Sequence, residues 1–236
     1  MVEWHGLGAL RLVSGLALVV VAGCGGRHMA VPNELDDGMD KYTTDGRRGK
    51  ASDGVDDPIG LDPYQIEAVK RDLSGSQGFE MFEGFEAVEK SGYSYRLGGG
   101  KKKLTGKCAE RAPQKLTDVD GSVTVKEQWG LACSCERDGK SVAHAFVEDL
   151  GGEYGGPVVV GPATAKLTGV YSLSNGDKLK GRPAGYTVED ENGAIAAVEV
   201  LPGEARLWLR HGLEEPGRTR LVCTLVGVML WVPGEK

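Results

Sequence analysis

The chain has 236 residues, a formal net charge of −6, 37 glycines and only 4 phenylalanines. An acidic balance argues against a nucleic-acid partner, which would need a basic face. Abundant Gly, Val and Thr favour short strands and tight turns over long helices, and the length allows one domain with room for a tail.

The N-terminal stretch carries Arg11 and then an apolar run, Leu12 to Val21, before Ala22-Gly23-Cys24. A bilayer-spanning helix needs about 20 apolar residues, whereas the apolar core of a secretory signal needs about 7–15. Polar residues follow at once, Gly25-Gly26-Arg27-His28, so the run cannot be extended into a span. Val21-Ala22-Gly23-Cys24 resembles the lipobox of bacterial lipoproteins. The resemblance implies that residues 1–23 are a cleaved signal peptide and that Cys24, carrying fatty acyl chains such as palmitate, becomes the first mature residue. Two buried chains already anchor a protein stably. Gly25, in place of Asp, further implies the outer membrane of a Gram-negative cell envelope.

Residues 24–60 are rich in Asp, Arg and Gly, with Asp36-Asp37, Arg47-Arg48 and Asp56-Asp57. So polar a stretch buries too little to offset its ordering entropy and reads as a disordered, lipid-anchored tether. A coil of that length reaches roughly 30–36 Å. The globular domain then occupies residues 61–236. Asp62-Pro63 followed by Ile66, Val69 and Leu73 predicts one short helix over about 62–73, with Asp62 as cap and Pro63 in the first helical position.

Beyond Phe79 the texture is that of strands and turns, with hairpin signals at Asp138-Gly139, Asn192-Gly193 and Pro202-Gly203. The Pro202-Gly203 turn predicts Val198 opposite Leu207 on an apolar face and Glu199 opposite Arg206 on the other. Leu221 to Trp231, apolar on both faces, reads as a central strand covered on both sides. The fold class expected is mainly β, an antiparallel sandwich or barrel.

With Cys24 acylated, four cysteines remain: Cys108, Cys133, Cys135 and Cys223. An even number in an exported chain predicts two disulfides. Cys133 and Cys135 point to the same face of one strand, about 6.6 Å apart, so each should bridge to Cys108 or Cys223 rather than to the other. A simple hairpin register places Cys133 opposite His144 and Cys135 opposite Val142, which leaves a Cys133, Cys135, His144 metal set as a weaker alternative. No cofactor is expected. Gly139-Lys140-Ser141 ends like a phosphate-binding loop, but Ser134 stands where that loop needs its first Gly. No Gly-x-Ser-x-Gly elbow marks a hydrolase.

These residues predict a non-catalytic binding or assembly module, held to the membrane through Cys24 and facing an envelope protein or the cell wall. The alternatives are a β-barrel carrier of an apolar ligand and a cell-wall or glycan hydrolase, the latter requiring two opposed carboxylates.

Overall fold

The computed structural model describes residues 27–31, 35, 38–44, 58–72, 79–80, 86–87, 89–99, 103–111, 114–117, 123–126, 130–149 and 151–231. Residues 1–23, over which a signal peptide is expected, Cys24 and residues 45–57 lie outside them. Sixteen strands are described. In chain order they are β1 Met39–Thr43, β2 Ile59–Leu61, β3 Tyr64–Asp72, β4 Phe79–Glu80, β5 Glu86–Ala87, β6 Glu89–Gly98, β7 Leu104–Arg111 and β8 Gln114–Thr117. They continue as β9 Val123–Lys126, β10 Gly130–Arg137, β11 Lys140–Asp149, β12 Tyr154–Val160, β13 Ala163–Val170, β14 Gly185–Asp190, β15 Gly193–Glu199 and β16 Arg206–Arg210. Among the described residues the one extended helix, α1, covers Gly217–Leu230.

Twelve strands form one antiparallel sheet in the order β1-β16-β15-β14-β13-β12-β11-β10-β7-β6-β3-β2. The sheet curls until its two ends approach, with the Tyr42 ring of β1 edge-on to Tyr64 of β3 at 6.1 Å. The result is a nearly closed barrel. Its two rims differ. One, the turn end, carries tight connections at Asp62-Pro63, Asp138-Gly139, Gly161-Pro162 and Glu191-Asn192. The other, the loop end, carries the longer links 171–184 and 200–205, and the β4–β5 and β8–β9 hairpins are inserted into connections on that side.

A barrel of eight strands is filled by its own side chains, and a larger one leaves a lumen. Here α1 fills it. Leu221, Val222, Cys223, Leu225, Val226, Val228, Met229 and Leu230 are all at most 3 % exposed. This corrects the strand expected over Leu221 to Trp231. The expectation that this segment is covered on both sides was sound, but a helix apolar all round has no amphipathic period to betray it. Its Val and Thr content favours a strand. The lumen overrides that preference, because every wall strand around it is already paired and a segment inside must satisfy its own N–H and C=O groups.

The helix expected over 62–73 is instead the β2–β3 turn and β3. Tyr64 and Ile66 point inward at alternating positions. A bulge at Ala68-Val69, with Ala68 at φ 48°, puts two residues opposite one and moves the next inward residue to Val69. The bulge thereby produces the spacing of three that imitates a helix. The tether expected over 24–60 is likewise corrected in part. Met39–Thr43 is a wall strand, Ile59 is buried, and Met29 and Leu35 are 2 % and 1 % exposed. Isolated apolar residues in a polar stretch were sufficient because a preformed surface receives them.

That surface is a second, outer core. Met29, Leu35 and Met39 pack with Leu173, Ala184, Ala197 and Trp208 against the outside of the barrel. Elsewhere the outer wall is charged, with Lys41, Arg96, Lys107, Glu136, Lys166 and Glu189 facing solvent wholly or in part. This is the reverse of the apolar outer band of a membrane-spanning barrel. No described helix is long and apolar enough to cross a membrane.

Candidate functional site

The predicted cysteines meet at the helix. Cys108 of β7 bridges Cys133 of β10, and Cys135 bridges Cys223 of α1. Cys133 and Cys135 do not pair with each other, as expected. Cys108 is no distant segment, however: it stands directly opposite Cys133 on the neighbouring strand. Gly227, one turn beyond Cys223, rests on the first bridge. A Cβ at Gly227 would lie 2.7 Å from both Cys108 Sγ and Cys133 Sγ.

Two tyrosines of β6 complete the clamp. Tyr93 Oη donates to the Gly227 carbonyl at 2.5 Å, and Tyr95 Oη donates to the Cys223 carbonyl. Tyr95 lies across Gly106, where any Cβ would collide with its ring. Burial drives the Tyr95 hydroxyl well above the usual phenol range, so it stays a neutral donor. Sequence reasoning missed both tyrosines. The weak signal was Tyr93-Ser94-Tyr95, two aromatics on one face.

The expected register of His144 is corrected. A bulge between Cys135 and Glu136 pairs Cys133 with Ala145 and Ser134 with His144, and sets Cys135 opposite Ala143. One extra residue sends His144 to the face opposite the sulfurs. Both thiols are oxidised and the imidazole is on the far side, so Cys133, Cys135 and His144 cannot form the metal set. Ser141 Oγ lies 3.2 Å from the His144 ring nitrogens, and partial burial pushes the His144 pKa down. Among the described residues no cluster of His, Cys, Asp or Glu is arranged to hold a metal.

Three other polar features stand out. On the outer wall Glu199, 0 % exposed, faces Arg206 Nε at 3.9 Å and His28 Nδ1 at 3.3 Å, and accepts the Met29 amide at 2.8 Å. Arg206 Nη2 lies 2.9 Å from His28 Nε2. The opposition of Glu199 to Arg206 and of Val198 to Leu207 follows the predicted register. What the sequence did not show is that residues 27–31 cover this pair.

At the turn end, Asp40 accepts from Arg218 Nη2 at 2.6 Å and pairs with His211 Nδ1 at 2.8 Å, while Arg218 also bonds Tyr42 Oη. The Arg218 hydrogen bond holds the Asp40 carboxyl below its usual range. The Glu215 carboxylate accepts from Thr219 Oγ1 at 2.7 Å and serves the helix N-terminus in place of a cap. This network fixes the start of α1 against β1.

The third feature is an open groove of about 810 Å³ across β12, β13 and β14. Gly155 and Gly156 contribute to its lining alongside Thr164, Lys166, Thr168 and Glu189. Glu153, Asp190 and Glu191 also border it, and Asp190 is already paired with Arg210 at 3.0 Å. Tyr154, Pro157, Leu167 and Tyr171 also line it, so the groove offers apolar surface bordered by hydroxyls and carboxylates. Comparison with protein families, with curated proteins and with solved structures finds no match.

Proposed function

We propose that this chain is an exported cell-envelope lipoprotein, acylated at Cys24 and held to the outer membrane. Its barrel is a non-catalytic binding or assembly module for an envelope protein or the cell wall. The observation that carries this reading is the pair of disulfides built into the barrel interior, Cys108–Cys133 and Cys135–Cys223. Disulfides of this kind persist in oxidising, exported compartments, and they agree with the lipobox through independent residues. The plugged barrel adds to it. A carrier of apolar ligands needs the lumen that α1 fills, whereas a solid barrel offers its outer wall, and the groove across β12–β14 is the concave part of that wall.

The test is cross-linking in intact envelopes, with the groove substituted at Lys166→Glu and Thr168→Arg. A specific partner lost on substitution supports the module. Recovery of no partner from the intact protein, or turnover of a glycan or peptide by the purified chain, refutes it.

A further inference from the structure

We propose that the loop end of the barrel sits directly on an anionic phospholipid surface through Arg27, Lys178, Lys180 and Arg182; this rests on the acylation of Cys24 proposed above. The first observation is where the chain becomes fixed. Met29 bridges to Leu173, the Ala30 amide donates to the Ser172 carbonyl at 2.8 Å, and the Ser174 amide donates to the His28 carbonyl at 2.9 Å. The Met29 amide is held by buried Glu199. Arg27 immediately precedes this dock and stands three residues after Cys24. Three residues span at most about 11 Å.

The second observation is charge. Ser172 pairs on its other side with Lys178, so residues 27–30, 172–174 and 177–179 form a small sheet on one edge of the loop end. Next to it run Lys178, Lys180 and Arg182, three exposed cations within five residues of a chain whose net charge is −6. The described acidic residues beside this edge are Asp177, which accepts the Asn175 amide group at 2.8 Å, Asp149, which accepts the Gly151 and Gly152 amides, and exposed Glu153 and Glu204, while Asp72, Glu80, Glu86, Glu89, Glu110 and Glu148 stand toward the loop end on β3 to β7 and β11. Glu199 is buried against Arg206 and His28.

Distance decides the matter. The field of an anionic leaflet falls off within a Debye length, about 8 Å in physiological salt. A coil of 36 residues would carry the barrel roughly four such lengths away, beyond its reach. A link of about 11 Å keeps the basic edge within one or two. An acyl anchor joined to a basic surface is also the two-signal arrangement that gives stable, oriented attachment.

The full chain, purified with its acyl group, is placed on vesicles of phosphatidylcholine alone or mixed with phosphatidylglycerol and treated with trypsin. Cleavage after Lys178 and Lys180 should slow about fivefold on the anionic vesicles, while cleavage after Lys140 in the β10–β11 turn is unchanged. High salt should remove the difference, and so should Lys178→Glu/Arg182→Glu read at Lys180. An acylated, vesicle-bound protein cleaved equally on both lipids overturns the docking and leaves the anchor standing. A Cys24 peptide whose mass shows no acyl chains overturns the anchor and the docking together.

Discussion

The inside and the outside of this barrel wall are held by opposite means. Inside, α1 is fastened by a disulfide, by Gly227 seated on a second disulfide, and by two tyrosine hydroxyls on its carbonyls. Outside, residues 27–31 are fastened by main-chain hydrogen bonds and by a buried carboxylate between Arg206 and His28. The inner contact joins a covalent bond and apolar packing to neutral hydrogen bonds. The outer one is ionic and reversible. The difference follows from dielectric surroundings: a charge in the lumen would have no partner and no water, whereas Glu199 lies at the wall with two cationic or polar groups that reach solvent.

Breaking the inner fastening should have the largest effect. Replacing Cys135 and Cys223 together by Ala removes a cross-link spanning 88 residues and should cost about 3–5 kcal/mol in the chain-entropy account, read as a lower urea midpoint. Amide exchange at Ala30 and Ser174 should stay slow relative to the new global stability, since the strap does not depend on this bridge. Glu199→Ala should do the reverse. It leaves Arg206 and His28 facing an empty carboxylate site at a cost of about 2–3 kcal/mol, less than for a fully enclosed pair because both partners reach solvent. Exchange at Ala30 and Ser174 should rise sharply while Tyr95 fluorescence and its surroundings are unchanged. Equal release of strap and helix in both variants would erase the distinction.

Gly106→Ala forces Tyr95 off its glycine and away from the Cys223 carbonyl. The expected loss is about 1–3 kcal/mol, and Gly106→Ala/Tyr95→Phe should cost less than the sum of the two single changes. The smallest effect belongs to the rim. The folded Asp40 carboxyl is held below its ordinary value of 3.8 by Arg218. Its contribution is therefore complete above that value and disappears as the pH falls through the lower folded value. Asp40→Asn should lower stability slightly at pH 6, by well under about 1 kcal/mol given its exposure, and the loss should shrink as the pH is lowered.

Much of the wall was legible. Asp138-Gly139 gave a hairpin because both residues accept positive φ, observed at 52° and 74°. The apolar alternation of Ala196 and Val198 against Leu207 and Leu209 fixed one register without further information. The even count of thiols, and the impossibility of joining Cys133 to Cys135 on one strand, predicted two bridges of the kind found. Two of the failures have their origin in local irregularity. A single bulge beside Cys135 reversed the side of His144, and another at Ala68 made a strand look like a helix. A bulge has no signature in composition, yet it reverses every inward and outward assignment beyond it. The groove across β12–β14 was not legible at all, since its lining residues are brought together by sheet curvature.

The sequence by itself determined the local matters: the β-rich texture, the turn positions, the pool of thiols and the lipobox resemblance at Cys24. Each depends on side chains within a few residues of one another. The tertiary structure alone decided that Gly217–Leu230 is a helix and that residues 27–31 belong to the barrel. A segment enclosed by fully paired strands must close its own hydrogen bonds, and a polar strap becomes ordered only when a finished wall offers Glu199, Leu173 and Trp208 to receive it.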